Sequence, residues 1–290
     1  MVVSKVFLSI VIPIYNEEKS IPSFFPAVQS VLQKIPKTTE IIVVNDGSTD
    51  SSLRLLQKIS GIHVISYGEN QGYGFAIKRG ILQARGEWIC IIDADKTYPI
   101  ESLPNLLEHC GKYDMVVGAR NSHNANISFF RKPAKFILGN LANYVSGKKI
   151  PDLNSGFRIF DRKKAQEFFY LLPDKFSFTT TITLAFLTSR YPTKYVPIEY
   201  RERVGNSKVR PEDFIAFSVL IIKTMIFFKP LRIFFPIAGI LFLLTLLLWY
   251  NWYFLHGPLM DTTMIISFFL AVNVTMFGLL AEIMSKSLKK

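Results

Sequence analysis

Over residues 7–198 the chain alternates short apolar, β-branched runs with stretches whose apolar positions recur every three to four residues. Six runs predict strands, at 7–14, 40–44, 63–67, 88–92, 115–118 and 195–198. The longer period predicts helices over 21–33, 51–59, 73–83 and 101–109, the second following Thr49 and Asp50 as cap-type residues. Alternating strand and helix predicts an α/β domain around a mostly parallel, doubly wound sheet, with continuous apolar runs as its buried strands. The 7–15 stretch reads as a first strand and not as a signal peptide, because Asn16-Glu17-Glu18 stands where a small-residue cleavage site is needed.

The pattern changes beyond residue 210. Residues 233–254 and 262–280 are uncharged apolar runs, each of about the ~20 residues that cross a hydrocarbon core, joined by a turn at His256-Gly257-Pro258. Trp249, Tyr250, Trp252 and Tyr253 stand where interfacial aromatics are expected. Lys223, Lys229 and Arg232 precede the hairpin, and Lys286, Lys289 and Lys290 follow it, so both ends are expected on the cytoplasmic side. A shorter apolar stretch interrupted by Lys223 predicts an interfacial helix. The expected organisation is a catalytic domain over 1–209, a juxtamembrane helix over 210–232, a transmembrane hairpin over 233–283 and a basic tail over 284–290.

Composition narrows the reading. The 290 residues carry a formal charge of +12, without the motifs that mark nucleic-acid binders, so membrane surface and phosphate chemistry account for the charge better. Cys90 and Cys110 lack metal-ligand spacing and read as reduced thiols.

In open α/β sheets function gathers beyond the carboxyl ends of the strands. Polar clusters follow the runs there: Tyr15-Asn16-Glu17, Asn45-Asp46-Gly47-Ser48-Thr49-Asp50, Asp93-Ala94-Asp95, and Gly118-Ala119-Arg120. The acidic pair Asp93 and Asp95 can hold Mg²⁺ or Mn²⁺ through hard oxygen ligands while a diphosphate supplies further oxygens. Asp46 suits a nucleobase edge or ribose, and Gly47 would let a flat base approach the backbone. Gly72 and Gly74, in Asn70-Gln71-Gly72-Tyr73-Gly74, lack the third glycine of a dinucleotide fingerprint because Ile77 stands in its place, so a nicotinamide cofactor is excluded. The same glycines allow either a helix start or close approach to a nucleotide-sugar. Arg120, Arg131, the stretch from Asp152 to Arg158, and the stretch from Arg203 to Lys208 supply cations and hydroxyls for phosphate oxygens.

Taken in order, Pro13-Ile14-Tyr15-Asn16-Glu17, Asn45-Asp46-Gly47-Ser48, Gly72 and Gly74, Asp93-Ala94-Asp95, Gly118-Ala119-Arg120, Ser155-Gly156-Phe157-Arg158 and Arg203-x-Gly205-x-Ser207-Lys208 resemble family 2 glycosyltransferases of the GT-A fold. The likeness is to the polyprenyl-phosphate glycosyltransferases related to dolichol-phosphate mannose synthase, and covers roughly residues 7–210 and the hairpin. It implies an inverting transfer of one sugar from a nucleotide-sugar to a polyprenyl phosphate. Pro13, Tyr15, Glu17 and Asp46 would contact base and ribose, with Gly72 and Gly74 beside the donor. Asp93 and Asp95 would bind the metal and diphosphate, and Arg203 and Lys208 would close over a phosphate. Arg120, Arg131, Ser155 and Arg158 would hold the acceptor phosphate. Relatives often carry Gln where this chain has Thr97, and acidic residues where it has Phe178-Thr179-Thr180-Thr181. The second departure fits a phosphate acceptor, which needs no general base. Transfer to a sugar hydroxyl of a lipid-linked glycan, and a non-catalytic membrane scaffold, are the competing readings, and a homo-oligomer is compatible with all of them.

Overall fold

The computed structural model describes residues 5–121, 132–175, 177–201, 219, 222–223, 225–254 and 261–287. The chain divides into two compact units, Met1–Phe217 and Ser218–Lys290.

The first unit is built on a seven-stranded sheet in the order β3-β2-β1-β4-β6-β5-β7. The strands are β1 (Leu8–Ile14), β2 (Thr39–Asp46), β3 (His63–Tyr67), β4 (Trp88–Ile91), β5 (Met115–Arg120), β6 (Arg158–Asp161) and β7 (Thr193–Ile198). All pairs are parallel except those of β6, which runs antiparallel between β4 and β5. Six strands coincide with the apolar runs, and β6 is new. In β1, Leu8, Ile10, Val11 and Ile12 are completely buried; each contributes roughly 1.5–3 kcal/mol relative to exposure, which sets this strand at the centre of the core.

Helices cover the sheet: α1 (Ile21–Gln33), α2 (Ser52–Leu56), α3 (Tyr73–Gln83), α4 (Leu103–Leu107), α5 (Lys132–Ser146), α6 (Arg162–Gln166) and α7 (Phe178–Thr188). On α1, Ile21, Phe24, Phe25, Val28 and Val31 face inward, the i, i+3, i+4, i+7 stripe of an amphipathic helix. The α2 and α4 helices are shorter than their periodicity predicts; residues 100–102 ahead of α4 form a 3₁₀ turn. The α7 helix is buried along its whole length, so it has no amphipathic pattern to read.

The second unit contains two helices long and apolar enough to cross a membrane, Leu231–Phe254 and Asp261–Ser287. They pack on each other through a Thr245–Ser267 hydroxyl contact of 2.8 Å, Phe242 against Phe268, and Gly278 against Phe234. Leu243, Leu246, Leu247, Ile266 and Phe269 are exposed along them, as lipid-facing side chains are. Of the expected juxtamembrane helix, positions 219, 222–223 and 225–232 are described, with 219, 222–223 and 225–228 helical.

Candidate functional site

Strand direction brings the polar clusters to one edge. The β1, β2, β4 and β5 strands end there, and antiparallel β6 begins there, with Arg158 level with Ile91 of β4 and Val117 of β5. The loop entering β6 is therefore delivered beside the acidic pair that leaves β4.

On the outer side of this edge two loops are interlocked. Asn16, in the left-handed region at φ 56°, accepts from Thr49 N at 2.8 Å, and its own N donates to Ser48 Oγ at 3.0 Å. Glu17 N donates to Ser52 Oγ, Glu18 N to Asp50 Oδ2, and Ser51 N to Glu18 Oε2. Backbone donors left open by the turns are thus met by short side chains. These bonds hold Pro13, Tyr15 and Glu17, all partly buried, at the end of β1.

Asp46 is nearly buried, and its two oxygens accept from Gln71 N at 2.9 Å and Gly72 N at 2.8 Å. It holds the loop before α3 in place. The glycines of this region lie close against the chain's own backbone. A Cβ on Gly47 would meet Asn70 N at 2.6 Å, and one on Gly72, at φ 114°, would meet Asp174 O at 2.5 Å. Gly74 is closed off in the same way by the backbone of Pro173 and Lys175. Phe75 N donates to Asp174 O at 2.9 Å, so a protein carbonyl occupies the first turn of α3.

Each member of the acidic pair is held by a hydroxyl. Tyr73 donates to Asp93 Oδ1 at 2.9 Å. Burial, reinforced by the Asp93 charge, pushes the Tyr73 phenol well above its ordinary value, so it stays protonated and is the donor. Asp95 Oδ1 accepts from Thr97 Oγ1 at 2.6 Å and Thr97 N at 3.1 Å. Thr97 is buried and its hydroxyl is bonded to Asp95, so it steadies that carboxylate. Gly156 lies against Asp93 so closely that a Cβ would collide with Asp93 Oδ2, and its N–H donates to Tyr98 OH at 2.7 Å.

On the inner side, Arg120 at the end of β5 pairs with Asp152 and its guanidinium lies 5.3 Å from the Tyr200 ring centre. Ser155 and Arg158 do not join this surface. Both are fully buried. Ser155 Oγ donates to Gly118 O at 2.6 Å. The Arg158 guanidinium donates to Thr179 O at 3.0 Å, Thr183 Oγ1 at 2.7 Å and Ser155 O, tying β6 to α7. Burial lowers its pKa below the usual arginine value. The two side chains expected at an acceptor phosphate thus spend these donors inside the fold. Arg131, Arg203 and Lys208 lie outside the described residues. Arg201 N, at the start of that last basic stretch, donates to Thr97 O at 3.0 Å, two residues from Asp95.

Sequence reasoning passed over Tyr73, Tyr98 and Glu18. Tyr73 carried one available signal, a phenol between two glycines at a helix start.

A mostly parallel sheet with an acidic pair at the end of its fourth strand and clamped loops on either side is the GT-A arrangement. The Glycosyl transferase family 2 model matches residues 9–169, more than half the chain, and the protein belongs to that family. The GtrB C-terminal hairpin model matches residues 229–287. The chain is 36% identical over 160 residues to the undecaprenyl-phosphate 4-deoxy-4-formamido-L-arabinose transferase of Pectobacterium atrosepticum, covering 53% of this chain and 49% of that one. It is 33% identical, over the same shares, to the Proteus mirabilis enzyme of that name. The chain thus spans about half the length of these curated relatives. Among solved structures, mannosyl-3-phosphoglycerate synthase from Rubrobacter xylanophilus superposes with a TM-score of 0.59 at 20% identity, over 76% of this chain and 72% of that one. Glucosyl-3-phosphoglycerate synthase from Mycobacterium tuberculosis, in complex with Mn²⁺, uridine-diphosphate and glucosyl-3-phosphoglycerate, superposes at 0.57 and 20% identity, over 76% and 79%. Both likenesses concern the fold.

Proposed function

We propose that the protein transfers one sugar from a nucleotide-sugar to a polyprenyl phosphate at the cytoplasmic face of a membrane. The observation that carries this reading is the position of Asp93: Tyr73 of the donor-side loop meets one of its oxygens and Gly156 of the acceptor-side loop meets the other. The names of the curated relatives, which carry undecaprenyl phosphate, and the apolar hairpin support the lipid acceptor.

Asp93 and Asp95 fit a divalent ion. They are hard oxygen donors on one turn; among the described residues no third His, Cys, Asp or Glu joins them, so they would hold Mg²⁺ or Mn²⁺ together with oxygens from outside the protein, as these ions accept. When bound, such an ion neutralises charge on the departing nucleoside diphosphate. An acceptor phosphate oxygen attacks the anomeric carbon, the bond from that carbon to the diphosphate oxygen breaks, and the configuration inverts. Pro13, Tyr15, Glu17 and Asp46 flank the nucleoside, Arg120 faces the acceptor phosphate, and Arg131, Arg203 and Lys208 supply further cations. Ser155 and Arg158 position the loop that carries Gly156.

The acceptor phosphate is already anionic and needs no general base. Two carboxylates of the loops around this edge are engaged in ion pairs, Asp152 with Arg120 and Asp174 with Lys78 at 2.5 Å. This favours phosphate over a sugar hydroxyl. The lysines and arginines at both ends of the hairpin favour cytoplasmic termini and a cytoplasmic catalytic domain.

The test is incubation of the purified full chain with Mn²⁺, labelled UDP- and GDP-sugars, and undecaprenyl or dolichyl phosphate. An acid-labile label in the lipid extract is expected. No lipid label across the donor panel overturns the proposal, and an acid-stable one favours glycan extension.

A further inference from the structure

We propose that Tyr73 is the positioning residue of the metal site, holding the Asp93 carboxylate through its hydroxyl and tying it to the donor-side loop. The inference rests on the reading that Asp93 and Asp95 hold a divalent cation.

The two carboxylates of the acidic pair are steadied differently. Asp95 is held from within its own turn, by Thr97 two residues on. Asp93 is held from 20 residues away, by a phenol on another element. A local clamp forms with the turn itself. A distant clamp works only if the element that carries it is fixed, and α3 is fixed from two directions. Asp46 accepts from the N–H groups of Gln71 and Gly72, the two residues before Tyr73. On the other side, the backbone of Pro173–Lys175 fills the space where Gly72 and Gly74 lack side chains, and Phe75 N donates to Asp174 O. Tyr73 is thus the one residue between two glycines that are each pressed against protein backbone. The backbone that carries it is thereby fixed, and its hydroxyl meets Asp93 Oδ1 at 2.9 Å.

Two consequences follow. The carboxylate keeps one rotamer before any cation arrives, so less conformational freedom is lost on binding. The donor-side loop and the metal-side carboxylate also move together, since Asp46 and Asp93 are joined through three consecutive residues. Hydrogen bonds from an outer residue to a ligating carboxylate are worth about 10–100-fold in metal affinity when removed, and Tyr73 stands in that relation to Asp93.

The test compares the full chain in detergent with Tyr73→Phe, which deletes only the hydroxyl, and with Lys78→Met. Lys78 Nζ donates to Leu172 O at 3.0 Å and pairs with Asp174, so this variant removes one side-chain tie of the helix–loop junction while the Asp46, Phe75 and glycine contacts that fix α3 stay in place. Mn²⁺ binding is read from loss of the free-ion paramagnetic resonance signal, with UDP and with GDP present, and melting is followed without metal. Y73F is expected to melt within about 2 °C of the parent and to bind Mn²⁺ roughly tenfold more weakly, while K78M binds Mn²⁺ like the parent. Mn²⁺ binding by Y73F within twofold of the parent overturns the proposal. So does an equal loss in K78M, which assigns the effect to general loosening. A parent chain that binds no Mn²⁺ removes the metal reading, and this inference with it, which separates the two failures.

Discussion

Arg120 and Asp152 form a two-point ion pair, with Nε 2.7 Å from Oδ2 and Nη2 2.8 Å from Oδ1, and the Arg120 backbone N–H adds a third bond at 3.1 Å. Arg120 closes β5 and Asp152 lies in the loop that leads into β6, so the pair joins two neighbouring strand ends at the site's edge. Burial alone would raise the Asp152 pKa; the bonds from Arg120 outweigh it and hold the carboxyl below its usual 3.8.

The pair's contribution therefore depends on pH in a defined sense. A depressed folded-state pKa stabilises above the unfolded value and loses that stability as pH falls through the folded one. Asp152→Asn is expected to cost roughly 2–3 kcal/mol at pH 7, at or below the low end of the ~3–5 kcal/mol for breaking a buried pair, since the Arg120 side chain is 30% exposed. Chemical denaturation at pH 7 and below pH 3.8 checks this; the gap between parent and variant should narrow at the acid end.

Gly156 and Gly139 make a matched pair of substitutions. A Cβ at Gly156 strikes Asp93 Oδ2, whereas at Gly139 nothing lies within 4 Å. Gly139→Ala, in the interior of α5, is expected to be neutral or stabilising by up to ~1 kcal/mol. Gly156→Ala should reduce sugar transfer at least tenfold, because misplacing a ligating group by about 1 Å costs on the order of 100-fold. Steady-state rates and melting temperatures of both variants give the comparison.

Arg158→Lys separates a structural arginine from a phosphate-binding one. One ammonium cannot reach the spread of carbonyl and hydroxyl oxygens that the guanidinium serves. The buried acceptors left behind should cost about 2–3 kcal/mol, seen as a lower melting temperature. KM for the lipid phosphate should stay within twofold in whatever protein remains folded. A rise in that KM with unchanged melting would restore Arg158 to the acceptor site.

Asp46→Asn replaces one accepting oxygen with an NH₂ that faces a backbone N–H of Gln71 or Gly72. The expected result is a loss of ~1–3 kcal/mol in stability, with weaker UDP or GDP binding by calorimetry. Glu18→Gln, one bond from the same surface through Ser51 N, keeps an amide oxygen as acceptor and should lose less than 1 kcal/mol.

The amino-acid pattern alone was sufficient for the six parallel strands, for α1 and α3 at their observed ends, and for two long apolar helices, because each is written in a local period of buried positions. The convergence of Asp46, Asp93 and Arg120 on one sheet edge was legible too, since a parallel strand places whatever follows it at its carboxyl end. Tertiary structure alone decided the rest. The β6 strand is bounded by Arg158 and Asp161 and so shows no apolar run, yet its antiparallel insertion sets Gly156 against Asp93. Whether an arginine two positions beyond a glycine meets solvent, as Arg120 partly does, or vanishes under a helix, as Arg158 does, depends on which element covers it. The glycines at 72 and 74 signalled a close approach without naming the partner, which proved to be backbone a hundred residues further along. Local sequence encodes what a segment can form; only the packed chain settles which distant atoms press upon it.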